Sequence, residues 1–129
     1  MLTSRVRTVC GATVVALAVY GCGGDSPTGG GGGGGGYEPG DPVATTSVTV
    51  NNNNSFNPPD IIVAPGATVT WTWAGTTDED HNINFTNPGI LDSQNKRTGT
   101  HQAVMPASAG TYTYTCTNHT GMDGSVQVQ

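Results

Sequence analysis

Alternation of apolar and polar residues, broken by turn residues, is the feature that most restricts the fold of this 129-residue chain. In residues 67–73, Val69, Trp71 and Trp73 share one side of an extended strand, and three threonines occupy the other. Shorter alternating segments lie at 47–50 and 125–128, and a short apolar strand lies at 61–63. Turn residues separate these segments, and helix-period patterns are absent. The pattern predicts an all-β protein, a Greek-key β-sandwich of about seven to eight strands.

The charge balance excludes some classes of partner. Charged residues make up 10% of the chain, and its formal net charge is −5. Arg5 and Arg7 lie in a segment that we expect to be removed, which takes the net charge to −7 and leaves Lys96 and Arg97 as the cations. Nucleic acid is a poor partner for such a chain, because its binding depends on phosphate neutralisation. A partner steered by charge should be basic.

The first 21 residues are typical of a targeting segment. Arg5 and Arg7 precede an apolar run at 9–19, which falls short of the roughly 20 residues needed to span a bilayer. The run ends in Val-Tyr-Gly-Cys, which resembles a bacterial lipobox. We therefore predict a signal peptide of lipoprotein type at 1–21 and lipid attachment at Cys22, with a plain signal peptide as the alternative. The protein would be exported and anchored at a bacterial membrane, on its periplasmic or cell-surface side.

A glycine-rich segment separates this N-terminus from the domain. Residues 22–42 contain an unbroken glycine run at 29–36, and such a sequence has too little apolar surface to pack. As a flexible coil it would span on the order of 25 Å. We expect it to tether the domain, residues 43–129, to a membrane; a low-complexity insertion without a role is the alternative.

Cysteine usage leaves one thiol in the domain. Cys10 falls in the signal peptide and Cys22 at the predicted lipid site, so Cys116 has no domain cysteine with which to form a disulfide. A lone thiol in an oxidising compartment is open to oxidation unless something occupies it. A bound metal would occupy it.

Three soft donors lie close together around this cysteine. Cys116, His119 and Met122 are spaced three residues apart, and a tight turn eased by Gly121 could bring them toward one point. Thiolate, imidazole and weak axial thioether, with a second imidazole, are the donors of an electron-transfer copper site. Strand alternation in 81–85 directs His81 inward, which makes it the available second histidine.

Each donor also has an ordinary structural interpretation. Cys116 could be a small buried hydrophobe, Met122 could fill a core gap, and a strand histidine often satisfies a backbone group. Structural zinc fits less well, because a thioether is a poor zinc ligand. We expect the remaining histidine, His101, to be solvent-exposed in its polar stretch, and Met105 to belong to the core.

Several segments, taken in order, carry a resemblance to a known family. They are FNPPDIIV at 56–63, PGATVTW at 65–71, HNI at 81–83, AGTYTYTC at 109–116 and HTGMDGSV at 119–126. Over 56–129 the chain resembles a cupredoxin of the plastocyanin and amicyanin type. The resemblance implies that His81, Cys116 and His119 bind copper in a plane, that Met122 is the axial ligand, and that Asn82 braces the ligand loop.

Two departures from plant plastocyanins affect the function. Two residues separate His119 from Met122, as in amicyanin-like proteins, whereas plastocyanins have four. Thr115 stands where plant plastocyanins carry a tyrosine associated with partner docking. A photosynthetic role is therefore not implied. The resemblance still implies that His119, flanked by Thr120, is the electron port.

The leading hypothesis is a monomeric, non-enzymatic carrier of one electron, with one copper ion cycling between Cu(I) and Cu(II) and exchanging electrons with redox partner proteins. Asp78-Glu79-Asp80 could attract a basic partner, or could be an acidic loop kept soluble by its charge. A second hypothesis is a lipoprotein that stores or delivers copper without redox traffic. A third is a metal-free adhesion module built on the same sandwich.

Overall fold

The computed structural model describes residues 37–129. The predicted signal peptide, Cys22 and the tether as far as residue 36 lie outside the described residues. The described part is all-β and contains nine strands: β1 (Val43–Ala44), β2 (Ser47–Asn51), β3 (Ser55–Asn57), β4 (Asp60–Val63), β5 (Thr68–Trp73), β6 (Asn84–Phe85), β7 (Thr100–Val104), β8 (Gly110–Thr115) and β9 (Asp123–Val128). Within residues 37–129 no helix has the length and apolar character to cross a membrane.

Two mixed sheets form a sandwich. One sheet has the order β1-β4-β9-β8-β6, and the other has the order β3-β2-β5-β7. β4 runs parallel to β9, and β8 runs antiparallel to β9. The end of β8 and the start of β9 therefore lie at the same end of the molecule, and the loop between them holds residues 116–122.

Aromatic residues from both sheets meet in the core. The Trp71 ring on β5 lies edge-on to Phe85 on β6 and to Tyr114 on β8, with centroids 5.7 and 5.4 Å apart. Trp71 is fully buried and Tyr114 is 1% exposed. Each ring of this size removes on the order of 150–250 Å² of surface from water, so the cluster joins the two sheets and supports the strand that ends at Cys116.

The observed strand count is higher than the predicted seven to eight. β1 and β6 have two residues each, and β3 has three. A strand this short shows no measurable alternation, so its neighbours in the sheet define it.

The prediction that His101 is solvent-exposed is wrong. His101 occupies an inward position of β7, in register with Trp71, and is 8% exposed. Its Nε2–H donates to the Leu91 carbonyl at 2.8 Å. Ala103 and Met105 share its face of the chain and are both 2% exposed, which confirms the predicted core position of Met105.

A buried carboxylate attaches the first described residues to the sandwich. Asp60, at the start of β4, is 5% exposed and accepts hydrogen bonds from the Ser125 hydroxyl at 2.6 Å, the Tyr37 hydroxyl at 2.6 Å and the Gly40 amide at 2.8 Å. Burial raises the pKa of Tyr37, and the hydrogen bond to the Asp60 carboxylate raises it further. The Tyr37 hydroxyl therefore keeps the proton that it donates. Part of the segment 37–42 therefore packs against the domain.

Candidate metal centre

Two consecutive turns bring three soft donors into one loop. The His119 amide donates to the Cys116 carbonyl at 3.2 Å, and the Met122 amide donates to the His119 carbonyl at 3.3 Å. The Cys116 amide donates to the Met122 carbonyl at 2.9 Å and closes the base of the loop. Gly121 has a φ of 80°, a left-handed conformation that side-chain-bearing residues rarely adopt. The three-residue spacing therefore becomes a closed loop that starts where β8 ends.

His81 reaches the same point from another segment. It forms an isolated bridge with Lys96, in which each amide donates to the other residue's carbonyl at 2.9 Å. His81 Nδ1 lies 3.9 Å from Cys116 Sγ, and His119 Nδ1 lies 3.4 Å from it. One donor atom from each of the three residues lies within 4.8 Å of the others, so they form a candidate ligand site.

The donor set and its spacing fit a copper ion. Bonds of about 2.0 Å to nitrogen and 2.3 Å to sulfur, the lengths found at zinc, an ion of similar size, put two donors about 3.7 Å apart at an angle of about 120°. The two observed nitrogen–sulfur separations, 3.9 and 3.4 Å, bracket that distance. Two imidazoles and a thiolate, with a buried thioether three residues beyond the second imidazole, are the donors that copper electron-transfer sites use.

Burial separates one histidine from the other donors. His81 is fully buried, Cys116 is 2% exposed and Met122 is 1% exposed. The His119 side chain is 15% exposed, so it is the donor that approaches solvent. Burial lowers the pKa of His81, and the neighbouring His119 lowers it further, which favours the neutral imidazole that a metal requires.

Side-chain amides hold the ligand loop against the segment that carries His81. Asn82 Oδ1 accepts from the Thr117 amide, and Asn82 Nδ2 donates to the Thr117 hydroxyl, both at 2.8 Å. Asn118 Nδ2 donates to the Asp80 carbonyl at 2.8 Å and to Asn95 Oδ1 at 3.1 Å. The residues that follow Cys116 are therefore tied to the residues on both sides of His81, which limits relative movement of the donors.

Two contacts at the site went undetected in the sequence. Asn118 has no periodic signal, because its partner lies 38 positions away. Glu79 Oε2 accepts from His119 Nε2 at 2.7 Å, across 40 positions. The acidic run before His81 was visible in the sequence, but which of its carboxylates meets the loop depends on how that run turns.

The fold and the donor set define a copper-binding β-sandwich, and comparison with known proteins agrees. Residues 44–129 match the sequence family of copper binding proteins of the plastocyanin/azurin type, so the chain belongs to this family. The recognition of a cupredoxin from the sequence is confirmed. Members of the family bind one copper ion and carry electrons; they are not enzymes. The chain is thus a member of a family of copper-binding proteins.

Individual relatives point to the same group. Amicyanin-alpha of Methylorubrum extorquens is 33% identical to this chain over 78 residues. The matched stretch covers 57% of this chain and 64% of amicyanin-alpha, so the chain spans less than two thirds of that protein's length. A purple cupredoxin from Nitrosopumilus maritimus is similar in structure, with a TM-score of 0.56, 25% identity and coverage of 64% of this chain and 98% of that one. The reduced Cu(I) form of a single-residue mutant of amicyanin gives a TM-score of 0.53 at 30% identity and covers 67% and 86% of the two chains.

Proposed function

We propose that the protein is a membrane-tethered carrier of one electron in which His81, Cys116, His119 and Met122 would hold the copper ion. The observation that carries the proposal is the convergence of three donor atoms within 4.8 Å, two of them on fully or almost fully buried residues. When bound, copper supplies a centre that alternates between Cu(II) and Cu(I).

The chain's own part is to hold the donors and exclude water. Backbone hydrogen bonds within 116–122 close the loop, and the side-chain hydrogen bonds of Asn82 and Asn118 tie it to the segment that carries His81. Donors held in this way would keep nearly the same arrangement around Cu(II) and Cu(I). The reorganisation energy of electron transfer would therefore be small. Burial of Cys116 and Met122 keeps bulk water from the thiolate and the thioether.

Electrons would pass through His119. Its side chain is the most exposed of the four proposed ligands, and its Nδ1 lies beside Cys116 Sγ. Three acidic residues, Asp78 to Asp80, precede His81, and the Glu79 carboxylate touches the His119 ring. This charge favours a basic redox partner, which would dock over the His119 end of the monomer.

The proposal also includes export and attachment to a membrane. The supporting features belong to the sequence: the apolar run at 9–19, the lipobox-like ending at Cys22 and the glycine-rich stretch within 22–42. Lipidation would anchor the chain at a bacterial membrane, on its periplasmic or cell-surface side, and the stretch after Cys22 would let the domain reach its partners.

A copper titration tests the proposed ligands. The purified full chain, titrated with Cu(II), should bind one equivalent in the domain and develop the intense blue absorption of a thiolate–copper bond. Cys116→Ser should abolish this absorption, and His81→Ala should weaken copper binding. A wild-type chain that is saturated with copper and colourless would contradict the electron-carrier proposal and would favour copper storage or delivery.

A further inference from the structure

The exposed ring of the site has a carboxylate on its outer nitrogen. His119 Nδ1 lies 3.4 Å from Cys116 Sγ, and His119 Nε2 donates to Glu79 Oε2 at 2.7 Å. The Glu79 side chain is 62% exposed, whereas the His119 side chain is 15% exposed. The ring therefore bridges the sulfur and the carboxylate through its two nitrogens.

From this arrangement we infer that Glu79 is a positioning residue for the copper site, which fixes the orientation and tautomer of His119 and favours the oxidised metal. The inference rests on the proposed function. A carboxylate that accepts the second N–H of a metal-binding imidazole holds the ring in place and makes its free nitrogen a stronger donor. Glu79 does not touch the metal position, so it acts through His119.

The turn that carries Glu79 is held on both sides. Thr77 is 1% exposed, and its hydroxyl donates to the Glu79 carbonyl at 2.8 Å. The Thr77 amide donates to the Arg97 carbonyl at 2.8 Å. Two residues after Glu79, the backbone of His81 is hydrogen-bonded to the backbone of Lys96. The positioning carboxylate and the buried ligand therefore lie on one fixed segment.

The two acidic neighbours of Glu79 are engaged elsewhere. Asp78 accepts from Asn52 Nδ2 at 2.8 Å, and its amide donates to Asn52 Oδ1 at 2.6 Å. Asp80 pairs with Arg97 Nε at 2.8 Å. Among these three carboxylates, Glu79 alone hydrogen-bonds to His119, and within residues 37–129 no lysine or arginine side chain pairs with it. Asp78→Asn therefore gives a matched control that removes one negative charge from the same turn.

The expected effect on the copper has a definite sign. A ring that donates its outer proton to a carboxylate gives more electron density to the metal through Nδ1. A negative charge one ring away also favours the doubly charged ion over the singly charged ion. Both effects stabilise Cu(II) relative to Cu(I), so the wild-type carboxylate should lower the reduction potential.

The test compares Glu79→Gln, Glu79→Ala and Asp78→Asn in the copper-loaded full chain by voltammetry and by Cu(II) competition. Glu79→Gln keeps a hydrogen-bond acceptor and removes the charge; Glu79→Ala removes both. We expect a higher reduction potential in both variants than in Asp78→Asn, and a Cu(II) affinity about 10-fold lower in Glu79→Ala. Potentials of both Glu79 variants equal to that of the Asp78→Asn control would overturn the inference.

A second readout needs no metal. In the metal-free full chain, at a pH where the His119 ring carries one proton, its ¹⁵N shifts should show that proton on Nε2 in the wild type and a mixture of tautomers in Glu79→Ala. An unchanged tautomer in Glu79→Ala would also overturn the inference. If the wild type turns blue and cycles reversibly while the variants match the control, the inference fails alone. If the wild type binds no copper, the proposed function fails.

Discussion

At the scale of single residues, two buried methionines allow the proposed Met122 ligand to be compared with a core residue. Met122 is 1% exposed at the end of the ligand loop, and Met105 is 2% exposed after β7. Both substitutions to leucine conserve volume, and each should cost less than about 1.5 kcal/mol of stability. Of the two, Met122 alone lies in the loop that also holds Cys116 and His119.

Met122→Leu should keep the blue colour and raise the reduction potential, because the axial donor tunes the potential and its loss destabilises Cu(II). Met105→Leu should leave the potential unchanged. Voltammetry of the two copper-loaded variants checks this prediction. Equal potentials for wild type and Met122→Leu would remove the thioether from the proposed ligand set.

His101 gives a pH-dependent contribution to stability. Burial lowers its pKa, and Lys96 lowers it as well, although the Leu91 carbonyl and Asp92 act in the opposite direction. In the unfolded chain a histidine takes up its proton near pH 6.5. The unfolded state then binds more protons than the folded state, so stability falls as the pH drops below about 6.5 toward the folded-state pKa.

His101→Gln should therefore lose less stability than the wild type as the pH falls from 7.5 to 5.5. The two slopes of unfolding free energy against pH should differ by at most about 1.4 kcal/mol per pH unit. Glutamine can still donate to the Leu91 carbonyl. Urea unfolding of the metal-free full chain at several pH values measures the difference, and His81 contributes equally to both proteins. Parallel pH profiles would show that His101 does not titrate differently on folding.

At the scale of strands and loops, the junction around Asp60 lies close to the ligand loop. Ser125, which donates to Asp60, is three residues after Met122. The Tyr114 hydroxyl and the Ser125 amide both donate to the Pro59 carbonyl at 3.0 Å. A Cβ on Gly124 would lie 2.5 Å from that same oxygen. β4, β8 and β9 therefore meet tightly where β9 leaves the site.

Tyr37→Phe should destabilise the domain by about 1–2 kcal/mol, because it removes a hydrogen bond to the buried Asp60 carboxylate. Tyr112→Phe is the matched control. Its hydroxyl donates to the exposed Ser108 carbonyl, so the loss should be about 0.5 kcal/mol. Urea unfolding of the metal-free chains compares the two. An equal effect would mean that the Tyr37 contact contributes nothing specific.

Alternation along the strands was sufficient to predict much of the fold. It put Trp71 and Trp73 on one side of their strand and directed His81 toward the interior, and all three are buried, because one side of each strand faces the other sheet. It failed for His101, where the polar neighbours Thr100 and Gln102 concealed a position that faces the core. His101 lies two positions before Ala103 and four before Met105, so it is on the same side of the chain as both. That signal was missed.

Several contacts between distant segments could not be predicted from the sequence. The two-residue strands β1 and β6 are defined by their partners, β4 and β8. The side-chain hydrogen bonds of Asn118 and Glu79 join the ligand loop to a turn about 40 positions earlier in the chain. Their geometry depends on how two loops meet after the sandwich forms, and a one-dimensional pattern holds no information on that.

At the scale of the whole molecule, charge should govern the approach of redox reagents. Beyond residue 7 the lysine and arginine residues are Lys96 and Arg97, and Arg97 pairs with Asp80. The reduced, copper-loaded chain should react with the cation tris(phenanthroline)cobalt(III) at a rate that falls as salt increases, because salt screens the attraction.

With the hexacyanoferrate(III) anion the rate should rise with salt, because the same screening reduces repulsion. Stopped-flow measurements over a range of ionic strength give both slopes. Slopes of the same sign for the two reagents would mean that the acidic residues do not control access to the His119 end, and a basic partner would lose its support.

Reversible electron transfer without loss of metal is the central claim, and voltammetry of the copper-loaded full chain tests it most directly. The account predicts one reversible one-electron wave with equal oxidation and reduction currents, and one copper ion still bound per chain after repeated cycles. A wave that disappears as Cu(I) leaves the protein would contradict the account and would identify a protein that stores or delivers copper.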